Sequence, residues 1–205
     1  MFAGDHMKKI AVIGTHCVGK TTLCKSIVDY AIANQKDAYC VEEVVRECPY
    51  PINQKHTIDA VEWIMFHQIL QEVAAKQRGH DLVVCDRSAL DPICYYEATN
   101  EKDPKDIPKH WALRHLAHAH IKEYDAIFLI MPNQEEVEFD GFRDTDLKFR
   151  EKVHGIFEAE LEDMSEQHPF PVDDLSELPL YMLSSGQIFG GYSRTTKWVY
   201  NKCFP

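Results

Sequence analysis

The segment Gly14-Thr15-His16-Cys17-Val18-Gly19-Lys20-Thr21, followed by Thr22, fits the pattern G-x-x-x-x-G-K-[ST]. Each residue type has a chemical reason to be there. Glycines let successive backbone N–H groups turn inward around phosphate oxygens. Lys20 brings a positive charge to the β- and γ-phosphates, and the Thr21 hydroxyl can ligate Mg²⁺. A helix starting near Lys20 adds the positive end of its dipole. A bland turn with an exposed lysine is the competing reading. An apolar stretch, Lys9-Ile10-Ala11-Val12-Ile13, precedes the loop and a helical pattern over residues 20–34 follows it, which is the context a phosphate loop requires. His16 and Cys17 occupy variable positions of the pattern and read as incidental members of the loop. ATP with Mg²⁺ is the expected cofactor pair.

Carboxylates and arginines follow two further strand patterns. Ala38-Tyr39-Cys40-Val41 runs into Glu42-Glu43-Val44-Val45-Arg46-Glu47, and Asp81-Leu82-Val83-Val84-Cys85 runs into Asp86-Arg87-Ser88. In doubly wound sheets the reacting groups lie at the carboxyl ends of strands. Phosphoryl transfer needs a carboxylate for Mg²⁺, another to accept or orient a hydroxyl proton, and an arginine for the moving charge. Asp86, Glu43 and Arg87 can supply them. The structural alternative is a strand-end salt bridge between Glu43 and Arg46 or Arg87. A GTP switch would want N-K-x-D and D-x-x-G, and neither occurs.

The elements that must position these groups are legible. A fourth apolar run, Ala126-Ile127-Phe128-Leu129-Ile130-Met131, and a weaker fifth, Leu180-Tyr181-Met182-Leu183, complete a set of strands separated by helices. That alternation predicts an α/β fold: a three-layer αβα sandwich around a parallel sheet of about five strands. Thr57 caps a helix that Gly79 ends after Arg78, with Val61, Ile64, Met65, Ile69, Leu70 and Val73 near a 3.6 period. Trp63, Phe66, His67, Gln68 and Gln71 share that helix. Trp63, Phe66 and Gln68 could stack on and hydrogen-bond a base, although core packing is the ordinary fate of such aromatics. Tyr95 and Tyr96 follow the Asp86-Arg87 segment and could line the same pocket. His110, His115, His118 and His120 crowd one helix, where a solvated face fits better than a metal pair. The acidic run from Glu158 to Glu166 reads as the outer face of another helix.

The loop, Glu43-Val44-Val45-Arg46-Glu47 and Asp86-Arg87-Ser88-Ala89-Leu90-Asp91 resemble the small P-loop kinases. These include deoxynucleoside kinases, thymidylate kinases and the ribosylnicotinamide kinase domain of the NadR type. The resemblance is nearest to the NadR-like "AAA ATPase" family, in which E-x-x-R-E and D-R-x-x-x-D stretches recur. Asp140-Gly141-Phe142-Arg143-Asp144, followed by Arg150, is similar to that family's D-G-x-R lid, and residues 184–194 are similar to its last strand-loop-helix. The resemblance implies that Lys20 and Thr21 hold phosphates and Mg²⁺, and that Asp86 is a metal or catalytic carboxylate. It further implies an acceptor-side role for Glu43, a phosphate-clamp role for Arg87, and lid cations at Arg143 and Arg150. Arg46, Trp63 and Gln68 join Glu43 and Arg87 as acceptor-side candidates. Two departures matter. Glu43 is followed by valine where deoxynucleoside kinases carry proline, and Asp86 stands for their glutamate. Ser88 stands where thymidylate kinases carry tyrosine or histidine.

Composition bounds the rest. The 205 residues suit one domain over 8–205, with a lid near 138–152; residues 1–7 read as a tag remnant or a disordered start. Lys+Arg of 22 against Asp+Glu of 33 gives a formal charge of −11, which argues against coating nucleic acid through a basic face. Seven cysteines without a C-x-x-C pair point to a reducing cytoplasm. No apolar run approaches a membrane span. The expected function is therefore an ATP- and Mg²⁺-dependent kinase of a nucleoside, nucleotide or similar small acceptor. An ATPase or nucleotide-dependent regulatory module, and a kinase of bases or ends in DNA, are the alternatives. Homodimerisation is left open.

Overall fold

The computed structural model describes residues 7–100, 102–132, 146–166, 180–184 and 192–204. Five strands, β1 (Lys8–Gly14), β2 (Ala38–Val41), β3 (Leu82–Asp86), β4 (Ala126–Met131) and β5 (Leu180–Ser184), form one sheet in the order β2-β3-β1-β4-β5. Every pairing is parallel. Parallel strands are buried on both faces, and β1, β3 and β4 accordingly read as almost unbroken apolar runs. The helices are α1 (Lys20–Ala33), α2 (Ile58–Arg78), α3 (Asp91–Ala98), α4 (Ile107–Ile121), α5 (Leu147–Glu166) and α6 (Tyr192–Cys203). One core packs α1 and α6 on one face of the sheet, through Leu23, Ile27, Phe128 and Val199. The other packs α2 to α5 on the opposite face, through Met65, Ile93, Ile121, Ile127 and Phe157. The expected three-layer sandwich is the observed one.

This order positions the site. The central neighbours β1 and β3 send their connections to opposite sides, so a crevice opens between them at their carboxyl ends. Val12 lies opposite Asp86 in the ladder, which fixes Asp86 beside the start of the phosphate loop. Gly14 is required where β1 leaves the sheet: its φ is +129°, and a Cβ there would sit 2.7 Å from the Ile130 carbonyl oxygen. Thr57 caps α2 by accepting from the Ala60 N–H, and Gly79 closes it in the left-handed conformation, both as the sequence predicts.

Three expectations need correction. Leu70 and Val73 fall on the apolar period of α2 but are 67% and 44% exposed, because the helix is long and only one side meets the sheet. His118 and His120 are buried rather than solvated. His118 Nε2 meets Glu160 at 2.5 Å, and Arg114 Nε donates to the same carboxylate at 2.8 Å. Glu160, read as an outer-face residue, thus joins α4 to α5. A sequence run does not reveal which acidic residue turns inward to meet a cation from another helix. Third, β3 runs one residue further than expected and ends in Asp86 itself.

His120 belongs to a second buried network centred on Glu72 of α2. Glu72 Oε2 accepts from Lys9 Nζ at 3.0 Å and lies 2.8 Å from His120 Nε2; Oε1 accepts from Tyr124 Oη at 2.6 Å and from Gln68 Nε2 at 2.9 Å. Burial pushes the Glu72 carboxyl up, but these partners outweigh it and hold the group below its ordinary value. A charge buried this deeply is tolerated because every oxygen is answered. Removing it leaves the buried Lys9 ammonium with the longer, half-exposed Glu123 contact at 3.4 Å. Glu72→Ala should cost about 3 to 5 kcal/mol of stability in denaturant titration. Because the folded value is depressed, this stabilisation is present above the ordinary carboxylate range and fades as pH falls through the folded value.

Candidate active site

The phosphate loop is shaped by two left-handed residues, Cys17 at φ 58° and Gly19 at φ 88°, the second of which caps α1. No acidic residue occupies the first turn of α1, so the helix N-terminus presents its partial positive charge unopposed. Lys20 is buried and its ammonium donates to the Thr15 carbonyl at 2.5 Å. Burial first, and Arg87 second, lower the Lys20 pKa to about 8. Thr21 Oγ1 donates to Asp86 Oδ2 at 2.5 Å. The other oxygen, Asp86 Oδ1, is buried with no hydrogen-bond partner among the described residues. Burial raises the Asp86 pKa against the pull of Lys20. An unanswered carboxylate oxygen beside a threonine hydroxyl is a donor set that fits Mg²⁺, which takes few protein ligands and completes its shell with phosphate and water. No cluster of three or more metal-ligating His, Cys, Asp or Glu side chains occurs among the described residues.

Arg87 organises a second cluster beside the phosphate loop. Its φ is +88°, a costly conformation for a residue with a Cβ. Its N–H donates to the Val12 carbonyl at 3.1 Å, and its own carbonyl accepts from Gln68 Nε2 at 3.3 Å. The guanidinium Nε donates to Glu43 Oε1, and Nη1 to Asp91 Oδ1 at 3.3 Å. It stacks 5.3 Å from the Tyr95 ring centre. Burial pushes the Glu43 carboxyl up, but Arg87, Lys20 and Arg46 bring it below its ordinary value. Asp91 is locked by Ser88, whose N–H and hydroxyl both donate to Asp91 Oδ2, at 2.8 and 2.9 Å. The salt-bridge reading of Glu43 is present, with Arg87 as its nearer partner and Arg46 at 3.9 Å.

The remaining candidates separate. Arg46 is half exposed and 3.9 Å from Glu43. Gln68 is buried, with its amide nitrogen engaged by Glu72 and Arg87, so it links the Glu72 network to the site backbone. Trp63 packs partly against Val44 and Ile64, and one face of its indole is covered by His67 at 3.8 Å. Phe66 is exposed. Tyr95 lies in the site, whereas Tyr96 turns toward Asp106 at 3.4 Å. Arg150 is buried in the first turn of α5. Arg143, residues 138–145 of the lid expected over 138–152, and the loop over 185–191 lie outside the described residues, whereas residues 147–152 of that expected lid form the start of α5. His16, read as an incidental member of the loop, is buried, with Nδ1 3.2 Å from the Tyr95 hydroxyl, which ties the phosphate loop to α3. Sequence reasoning missed His56, which is buried beside the Tyr95 ring, at 6.2 Å. A lone histidine between prolines and a helix cap carries no local signal of such a place.

Comparison with known proteins places this geometry. A family model described as "AAA domain" matches residues 9–176. No curated protein matches the sequence. Among solved structures, a NadR protein in complex with NR superposes with a TM-score of 0.66 at 19% identity, over 96% of this chain and 52% of that one. A deoxyadenosine kinase from M. mycoides with bound dATP gives 0.65 at 15% identity, over 96% of this chain and 100% of that one. The chain thus spans about half the length of the NadR protein and the whole of the deoxyadenosine kinase. The likenesses establish a shared fold, the resemblance read from the motifs holds, and the chain belongs to the AAA domain family of P-loop proteins.

Proposed function

We propose that the protein is an ATP- and Mg²⁺-dependent phosphotransferase that carries the γ-phosphoryl group to a hydroxyl of a small nucleoside-type acceptor. The carrying observation is one crevice at the ends of β1 and β3 in which a phosphate-loop lysine, a Thr21–Asp86 pair and a Glu43–Arg87–Asp91 cluster converge.

Each group has a task. Lys20, the loop N–H groups and the α1 terminus bind and orient the triphosphate. Thr21 and Asp86 would hold Mg²⁺, which offsets charge on the phosphate oxygens. Glu43 is the acceptor-side carboxylate: it orients the hydroxyl and takes its proton as the new P–O bond forms and ADP leaves. Arg87 holds Glu43 and Asp91 and neutralises charge near the moving phosphoryl group.

The test follows labelled ATP into nucleosides, nucleoside monophosphates and duplex DNA. Transfer to nucleosides is expected. Steady hydrolysis unstimulated by any acceptor would instead mark an ATPase, and label in the polymer a DNA kinase. Lys20→Ala should lower transfer by about 10²–10³-fold with the fold intact by circular dichroism. Glu43→Gln should lower kcat by about 10²–10⁴-fold while leaving the KM for ATP unchanged.

Lys20 also sets a pH dependence. In the free protein it is charged below about 8 and loses that charge as pH rises through this value. ATP favours the charged form, so binding should take up a proton above about pH 8 and weaken there. Calorimetry in two buffers of unlike ionisation enthalpy should give different apparent enthalpies near pH 9, and Lys20→Met should remove the difference.

A further inference from the structure

His56 is the buried histidine that the protein leaves unanswered. It follows the 3-10 turn Asn53–Lys55 and precedes the Thr57 cap of α2; its backbone N–H donates to the Asn53 carbonyl at 3.0 Å, so the residue is held in place. The side chain is 5% exposed, yet neither ring nitrogen has a hydrogen-bond partner among the described residues. The contrast within this chain is direct. His118 and His120, equally buried, each meet a carboxylate within hydrogen-bond distance. Buried polar atoms are ordinarily satisfied, and one that is not calls for an explanation. Were packing the only demand, phenylalanine or leucine would fill the space without burying two unanswered nitrogens.

Its neighbours indicate what would answer it. The ring is tilted 41° against Tyr95, the same Tyr95 that carries the Arg87 guanidinium on its face and bonds His16 of the phosphate loop through its hydroxyl. His56 therefore packs on the aromatic ring that the Arg87 cluster and the phosphate loop share. Burial, and then the Arg87 charge, push the imidazole down to about 3, so it stays neutral and offers one donor and one acceptor.

We propose that His56 is a specificity-determining residue of the acceptor site, hydrogen-bonding a hydroxyl or base-edge group of a nucleoside-type acceptor. The inference rests on the kinase reading above and names one residue that reading does not use. An imidazole of this kind selects for a partner group rather than for charge, and an acceptor lacking that group leaves it as unsatisfied as in the free protein.

Steady-state kinetics of His56→Phe and His56→Leu test it, with ATP and acceptor varied separately. We expect the acceptor KM to rise about ten- to hundredfold, as for loss of one buried hydrogen bond, with the KM for ATP within about twofold. Melting temperature should hold or rise, since two unanswered polar atoms are removed. His56→Asn and His56→Gln place an amide near Nδ1 and Nε2 respectively, and one of them should restore part of the loss. Among 2′-deoxy, 3′-deoxy and base-altered acceptors, the one missing the partner group should be indifferent to His56→Phe, which separates sugar from base recognition. An unchanged acceptor KM in a protein whose wild type phosphorylates nucleosides overturns this assignment alone. Loss of fold in both apolar variants also overturns it, since the ring nitrogens would then be structural. A wild type that phosphorylates no acceptor overturns the kinase reading, and this assignment with it.

Discussion

A guanidinium buried at the carboxyl end of β3 is the constraint that the site answers to. Arg87 is charged under every accessible condition, so the chain must surround it with carboxylates or fail to bury it. Glu43 reaches it from the end of β2 and Asp91 from the first turn of α3. Its backbone is held in a costly conformation by Val12 on one side and Gln68 on the other. Strain of this kind persists only where the surroundings over-determine it. Four separate elements are thereby fixed relative to one atom group, and the Glu43 carboxylate is held in place by the protein itself.

The Glu72 network is the second tier of that arrangement. Lys9 enters from the beginning of β1, and His120 and Tyr124 from the end of α4 and the turn after it. Gln68 stands one helical turn before Glu72 and carries the network to the Arg87 carbonyl. Such polar cores rigidify when complete. The same chain of contacts explains why an amide placed on α2 as a base-reading candidate is instead drawn inward. Its nitrogen finds stronger partners inside the protein.

What could be read from the sequence follows the range of the interactions. The phosphate loop, the strand runs and the caps of α2 are local, and their residue types declare them within a few positions. The five-stranded parallel sheet follows from alternation alone. Asp86, Glu43 and Arg87 were legible because strand ends have a known place in such sheets. Contacts between distant segments were not legible. Glu160 and His118 are 42 residues apart, and Glu72 and Lys9 are 63 apart. Charge counting places such residues at the surface by default. The exposed Leu70 and Val73 err in the opposite direction, since periodicity tells which side is apolar but not how far the sheet extends beneath it.

Burial sorts the ionisable groups of this molecule into two kinds. Glu72, Glu160 and Glu43 are surrounded by enough positive partners to sit below their ordinary values, and they serve the fold or aim the site. Lys20, Asp86 and His56 have all been displaced toward their neutral forms by burial. Groups held against their preferred charge state are the ones with most to gain from a ligand: an ammonium from a polyphosphate, a carboxylate from a divalent cation, an imidazole from a hydrogen-bonding acceptor. Lys20 and Asp86 lie in one crevice, and His56 packs against the Tyr95 ring beside it. Stability is given up at points where binding can return it, and for Lys20 and Asp86 those points are the phosphate loop and the end of β3.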